Sequence, residues 1–136
     1  MADNIVLLHW LGRGMEFEGG REGGPTAIVD GKGKAGPSPM VTFLMGLAGC
    51  TASDIIDIAS KMRLTLSAFD IRAEGDRWPE PPRRYTRIRL IYRVAGIEEN
   101  DQEKIRRAIQ LSHDKYCSAL HSIRQDIEVT SVVEFA

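Results

Sequence analysis

Between Met40 and Ser53 the chain carries no charged residue, and its apolar side chains do not keep to one stripe. A helix that is apolar nearly all round belongs inside a core, so the rest of the fold has to be built around this segment. Its start agrees with a helix. Ser38 is suited to cap it, and Pro39 stands at the first helical position, where a missing N–H costs nothing. The pattern predicts a helix over 38–62 with Cys50 near its middle, between Gly49 and Thr51. Only one other cysteine, Cys117, exists in the chain.

The flanking segments read as strands and shorter helices. Ile5 to Trp10 and Met15 to Phe17 are apolar runs, and Thr26 to Val29 is closed by the turn signal Asp30-Gly31. Glycine-rich stretches, Gly19 to Gly24 and Gly31 to Gly36, make the connections, giving an N-terminal hairpin or meander over 4–31. After Met62, Leu66, Phe69 and Ile71 mark a strand whose phase slips near Ala68, where a bulge is expected. Asp76 to Arg84 is too proline-rich for a central strand and reads as a hairpin connection. From Tyr85 to Val94 the alternation is regular, with Ile88, Leu90, Tyr92 and Val94 on one face and Arg87, Arg89 and Arg93 on the solvent face. Asn100 and Glu103 form a capping-box pattern ahead of Ile105, Ala108 and Ile109. Tyr116, Leu120 and Ile123 predict a second helical segment carrying Cys117, before a final strand with Ile127, Val129, Val133 and Phe135 on one face.

This order predicts an α+β fold, a mainly antiparallel sheet around a long central helix, in a single domain over 1–136 whose C-terminal part, 64–136, runs β-β-α-α-β. Such a sheet covers one side of the Cys50 helix. A second protomer is the economical cover for the other side, so an intertwined homodimer is expected.

Eighteen basic and nineteen acidic residues leave a net charge of −1, which argues against nucleic acid or an anionic membrane as partner. The N-terminus has no basic region of the secretory kind, and Gly46, Gly49, Asp54 and Asp57 interrupt the central helix as a membrane span. A cytoplasmic location is therefore expected. There, two isolated cysteines point to reactive or transient pairing, not to a structural staple.

The chemistry available to such a pair is specific. One thiol must ionise, which burial opposes and a nearby cation favours; Arg13, Arg21, Lys32 and Lys34 are the candidates. A peroxide then oxidises it to sulfenic acid, and the second thiol condenses with that group to give a disulfide. A rival use of the same residues is metal binding: His113, Cys117 and His121 share one face of a continuous helix, and Cys50 would supply a fourth ligand. Those three span ~12 Å along the axis at a 1.5 Å rise, which is long for one ion; the plainer assignment is partly exposed histidines. A third use is a non-catalytic stress-response module, with Met40, Phe43, Met45 and Met62 lining a hydrophobic ligand pocket instead of filling a core.

The segment SPMVTFLMGLAGCTASDI, Ser38 to Ile55, resembles the central-helix motif of the OsmC/Ohr family, the osmotically inducible and organic hydroperoxide resistance proteins. KYCSAL, Lys115 to Leu120, is similar to the family segment bearing the second cysteine, and the order of elements matches along almost the whole chain. The resemblance implies an OsmC-like fold and thiol-dependent reduction of organic hydroperoxides in an intertwined homodimer. Cys50 would be peroxidatic, Cys117 resolving, and no cofactor would be needed. It further implies an arginine near the N-terminal hairpin that stabilises the thiolate. GGREG, Gly19 to Gly23, makes Arg21 the best match, with Arg13 as rival. Family reductants are dithiols, notably lipoyl groups on proteins. One position departs from the pattern: the peroxidatic branch has a glutamate directly after the helix-start proline, and this chain has Met40. A thioether neither orients nor neutralises a guanidinium. The context resembles a less characterised OsmC-like branch.

Overall fold

The computed structural model describes residues Met1–Ala136. They form two compact units, Met1–Phe43 and Leu44–Ala136, and the boundary falls in the first turns of the central helix.

The N-terminal unit is an antiparallel meander: β1 (Val6–Trp10), β2 (Glu16–Arg21) and β3 (Ala27–Asp30), with β2 in the middle. Trp10 stands opposite Phe17, and Phe17 opposite Val29. The strand ends are tied locally, as where Trp10 Nε1 donates to the Gly14 carbonyl at 3.0 Å. After β3 the chain must turn sharply, and Asp30 does the work. Its carboxylate is only 3% exposed and accepts the backbone N–H groups of Lys32, Lys34 and Ala35 at 2.8, 3.2 and 2.9 Å. Those backbone donors hold its pKa below the ordinary 3.8.

The central helix, α1 (Pro39–Lys61), begins as its sequence signals require: Ser38 Oγ accepts the Val41 N–H at 3.3 Å. It ends in a Schellman motif. Leu64 N–H bonds the Ala59 carbonyl and Arg63 N–H the Ser60 carbonyl, with Arg63 left-handed at φ 62°. Its buried stripe is Leu47, Thr51, Ile55 and Ala59, one residue per turn. Elsewhere on the helix Val41, Phe43, Met45 and Ile56 are exposed. In length and composition α1 is apolar enough to cross a membrane, so the interruptions noted above do not exclude a span by that measure. Its two carboxylates nonetheless have protein partners, Asp54 with Ser112 and Asp57 with Lys61.

In the C-terminal unit β4 (Ala68–Arg77) pairs antiparallel with β5 (Tyr85–Ala95), and β6 (Glu128–Phe135) joins the other side of β5 in parallel. The molecule thus holds two three-stranded sheets, not one, and three of the strand pairings are antiparallel. The inward residues of β5, Ile88, Leu90, Tyr92 and Val94, are wholly buried. Helix α2 (Gln102–Leu111) adds Ile105 and Ala108, also inaccessible to solvent. The outer face is a charge ladder. Arg87 faces Asp76 and Glu128 across the strands, Arg89 faces Glu74, and Arg93 faces Asp70 and Glu134. Arg87 and Arg93 lie between carboxylates and Arg89 between Glu74 and Thr130, as a solvated sheet face favours.

Three local expectations change. The β4 irregularity falls at Asp76/Arg77, next to the proline-rich connection, not at Ala68, where the strand begins. The start of α2 is a 3₁₀ turn, Glu99–Asp101, without a side-chain cap; Glu103 instead reaches Arg106 at 2.6 Å. The second helical segment is not formed. Ser112–Tyr116 is a π turn, Cys117 has extended backbone (φ −71°, ψ 102°), and only a 3₁₀ turn, Leu120–Ser122, follows. The apolar spacing allows a helix there, but the hydrogen bonds of Ser112 and His113 described below hold the turn open.

Candidate thiol site

Cys50 lies on α1 and is half-buried; Cys117, at the end of the π turn, is completely buried, and both are reduced. The two thiols are close neighbours. Burial pushes the Cys117 thiol up to about 11, the Leu120 N–H at 3.4 Å from its sulfur opposes that, and Cys50 beside it pushes further up. Cys117 is therefore held protonated across the neutral range. The exposed member is reachable from solvent and the buried member is not. A neighbouring pair of thiols of this kind is suited to dithiol–disulfide chemistry.

Of the polar residues behind the pair, sequence reasoning singled out only His113 as a candidate, and that as a metal ligand. Thr51 Oγ1 lies 2.8 Å from Tyr92 OH, and Tyr92 OH lies 2.8 Å from His113 Nε2. Ser112 Oγ donates to Asp54 Oδ2 at 2.9 Å and lies 3.2 Å from Thr51 Oγ1. Burial raises the Tyr92 phenol to about 12 and lowers the His113 pKa, so both are neutral near pH 7. One signal was available: Tyr92 falls on the inward face of β5, and a buried tyrosine hydroxyl needs a polar partner.

The shared helical face proposed for metal does not exist, because the helix stops before Cys117. His113 Nε2 is engaged by Tyr92, and His121 Nε2 donates to the His113 carbonyl at 3.1 Å. No group of three or more His, Cys, Asp or Glu is arranged to hold a metal ion. In the N-terminal unit Arg21 is exposed at the end of β2, whereas Arg13 is ion-paired with Glu16 at 3.0 Å. Glu18 accepts a hydrogen bond from Thr26 at 2.7 Å.

The family model described as OsmC-like protein matches residues 31–132, which include α1, both cysteines and most of the C-terminal sheet. The chain belongs to the OsmC-like family. This OsmC-like protein is 33% identical to Protein YhfA of Escherichia coli over 126 residues, covering 92% of each chain. Two solved structures share the fold. One is an OsmC-like protein of unknown function from Vibrio cholerae, with TM-score 0.80 and 16% identity over 98% of this chain and all of that one. The other is an organic hydroperoxide resistance protein from Legionella pneumophila, with TM-score 0.68 and 19% identity over 98% of both chains. The fold and a close cysteine pair, consistent with redox chemistry, are thus common ground between sequence and structure.

Proposed function

We propose that this OsmC-like protein reduces organic hydroperoxides with Cys50 as the attacking thiolate and Cys117 as the resolving thiol. The observation that carries the reading is the asymmetry of a close pair: a half-buried Cys50 beside a wholly buried Cys117 whose proton is held. In the first step the Cys50 thiolate takes the distal oxygen of the hydroperoxide, and the alkoxide leaves and picks up a proton as an alcohol. The Cys117 sulfur then attacks the Cys50 sulfenic acid, and water leaves as the disulfide forms. Arg21 is the cation assigned to favour the Cys50 thiolate, since of the two arginine candidates Arg13 is paired with Glu16. A dithiol, such as a protein-bound lipoyl group, would return the pair to its reduced state by exchange. Such cycling suits a reducing compartment, and the reading includes a cytoplasmic location.

The reading includes a homodimer. The exposed apolar side of α1 and the four large apolar residues of β1, each more than half exposed, supply surface that a second copy would cover. Gly46 and Gly49 have open space above them and would let another chain approach α1 closely.

The test is direct. Reduced protein is treated with about one equivalent of an organic hydroperoxide, alkylated, and weighed intact. The expected product has lost two hydrogens and has two blocked thiols. Thiols that stay alkylatable while peroxide is unconsumed would defeat the enzymatic reading. Loss of thiolate reactivity in Arg21→Ala, but not in Arg13→Ala, is expected if Arg21 is the cation.

A further inference from the structure

The polar groups behind the thiols close into a ring. From Thr51 it runs to Tyr92, from Tyr92 to His113, along one peptide bond to Ser112, and from the Ser112 hydroxyl back to Thr51. Thr51, Tyr92 and Ser112 are wholly buried, and no buried side-chain polar atom in the molecule is left without a partner. The ring joins α1, β5 and the π turn. Its key member is Ser112, which faces both cysteines through short links. Its hydroxyl is tied to Thr51, the residue after Cys50, and to Asp54, one turn further along the same helix. Its carbonyl accepts the Cys117 N–H at 2.8 Å, the five-residue bond that makes the turn a π turn.

Apolar packing alone would not fix this geometry. Between Ser112 and Cys117 lie four residues, of which Asp114, Lys115 and Tyr116 are exposed. The segment is held at its ends by hydrogen bonds, His113 to Tyr92 and Ser112 to α1, and the buried sulfur follows from them.

We infer that Ser112, braced by the Thr51–Tyr92–His113 ring, is the positioning residue that holds the Cys117 thiol against Cys50 for disulfide closure. It touches neither peroxide nor sulfur; it acts through the Cys117 backbone. The step it governs is the second one: Cys117 S–H and Cys50 S–OH form the S–S bond and release one water, the oxidant being an organic hydroperoxide already spent in the first step. The inference therefore deepens the thiol-peroxidase reading and rests on it for its biological use, while the placement of the sulfurs can be measured without any peroxide.

The experiment has two arms on the full chain. In the first, the protein is equilibrated in mixtures of a small dithiol and its disulfide, and the fraction of Cys50–Cys117 disulfide is counted after alkylation. Ser112→Ala is expected to weaken disulfide closure about tenfold, raising the reduction potential by about 30 mV. Tyr92→Phe, which cuts the ring elsewhere and keeps the ring stack on Phe69, is expected to act in the same direction. Asp54→Asn keeps an acceptor for the Ser112 hydroxyl and should stay within about twofold of the native chain. In the second arm, one turnover with organic hydroperoxide should show Cys50 oxidised at an unchanged rate in Ser112→Ala, with more of it ending as sulfinic acid.

A folded Ser112→Ala protein with the native disulfide equilibrium overturns the inference. So does a native chain that forms no Cys50–Cys117 disulfide in the dithiol mixtures. Should Ser112→Ala fail to fold, Tyr92→Phe carries the same readout. A native chain that leaves peroxide unconsumed, yet shows the Ser112-dependent equilibrium, defeats the peroxidase reading and leaves the positioning role standing.

Discussion

The two units bury very different things. In the C-terminal unit the inward face of β5 and the apolar face of α2 are sealed, with Ile88, Leu90, Tyr92, Val94, Ile105 and Ala108 at zero exposure. In the N-terminal unit the one buried residue is a carboxylate, Asp30, while Val6, Leu7, Leu8 and Trp10 stand 53–67% exposed. One unit is held by apolar burial, and the other by backbone pairing and a charged loop anchor. The contrast teaches where chemistry can be kept. A buried thiol with a raised pKa requires a sealed neighbourhood, and only the C-terminal unit has one. The N-terminal unit instead displays its apolar residues, which fits a surface awaiting cover.

The sharpest way to break this contrast is by truncation. Leu90→Ala should cost about 2–5 kcal/mol in chemical denaturation, independent of protein concentration. Leu7→Ala should cost far less at high dilution, and its effect should grow with protein concentration as the proposed dimer forms. Equal, concentration-independent losses would erase the distinction.

Titration gives the next largest effects, and their signs differ from group to group. Cys117 binds its proton more tightly folded than unfolded, so stability should be full below about 9 and decline as pH rises towards about 11. Cys117→Ser should flatten that limb. His113 is the reverse case: burial lowers its folded pKa, so the unfolded chain takes up a proton first and stability should fall as pH drops below the ordinary 6.5. Removing that acid limb with His113→Gln in pH-dependent thermal melts is the check. Asp30, depressed by backbone donors, gives its contribution above the ordinary 3.8 and loses it below. Hydrogen exchange at residues 32–35 should therefore quicken only after the His113 transition has passed. A single acid transition shared by both units would contradict two separately held structures.

The smallest effect belongs to the outer ladder. Arg89→Ala removes a 3.7 Å contact with Glu74 between half-exposed side chains and should change stability by less than ~1 kcal/mol, with the difference vanishing in high salt.

Much of this was legible in the sequence, for reasons that are local. Ser38 and Pro39 mark the start of α1, and strict alternation fixed which face of β5 is buried, because side chains on a strand repeat every two residues. Cys50 and Cys117 stood out as the only two thiols. What escaped was decided by distant partners. The parallel pairing of β6 with β5 leaves no trace in the periodicity of either strand. The π turn was invisible because Tyr116 and Leu120 continue helical spacing, yet Tyr116 is exposed and the turn is shaped by Thr51, Asp54 and Tyr92, far away in sequence. Arg21 was named through likeness, and its value as the cation awaits its variant.

The Ser112 to Cys117 bond has one more consequence. It spans five residues where an α-helix would span four, so the chain carries one residue of slack at this point. Deleting a single residue, Asp114 for instance, would let the segment relax into ordinary α-helix. The cysteine would then stand four residues after Ser112, where the ordinary α-helical bond closes on the same Ser112 carbonyl, so the downstream chain would keep its direction. The loss would be local: the residue of slack and the Asp114 carboxylate that accepts from Gln110 would go, and both cysteines would stay. Among relatives, the count of residues between the last turn of α2 and its cysteine is therefore a ruler. A chain one residue short would keep its two thiols facing each other in an ordinary helix; losing a second residue is what would turn the sulfur by roughly 100° from its partner.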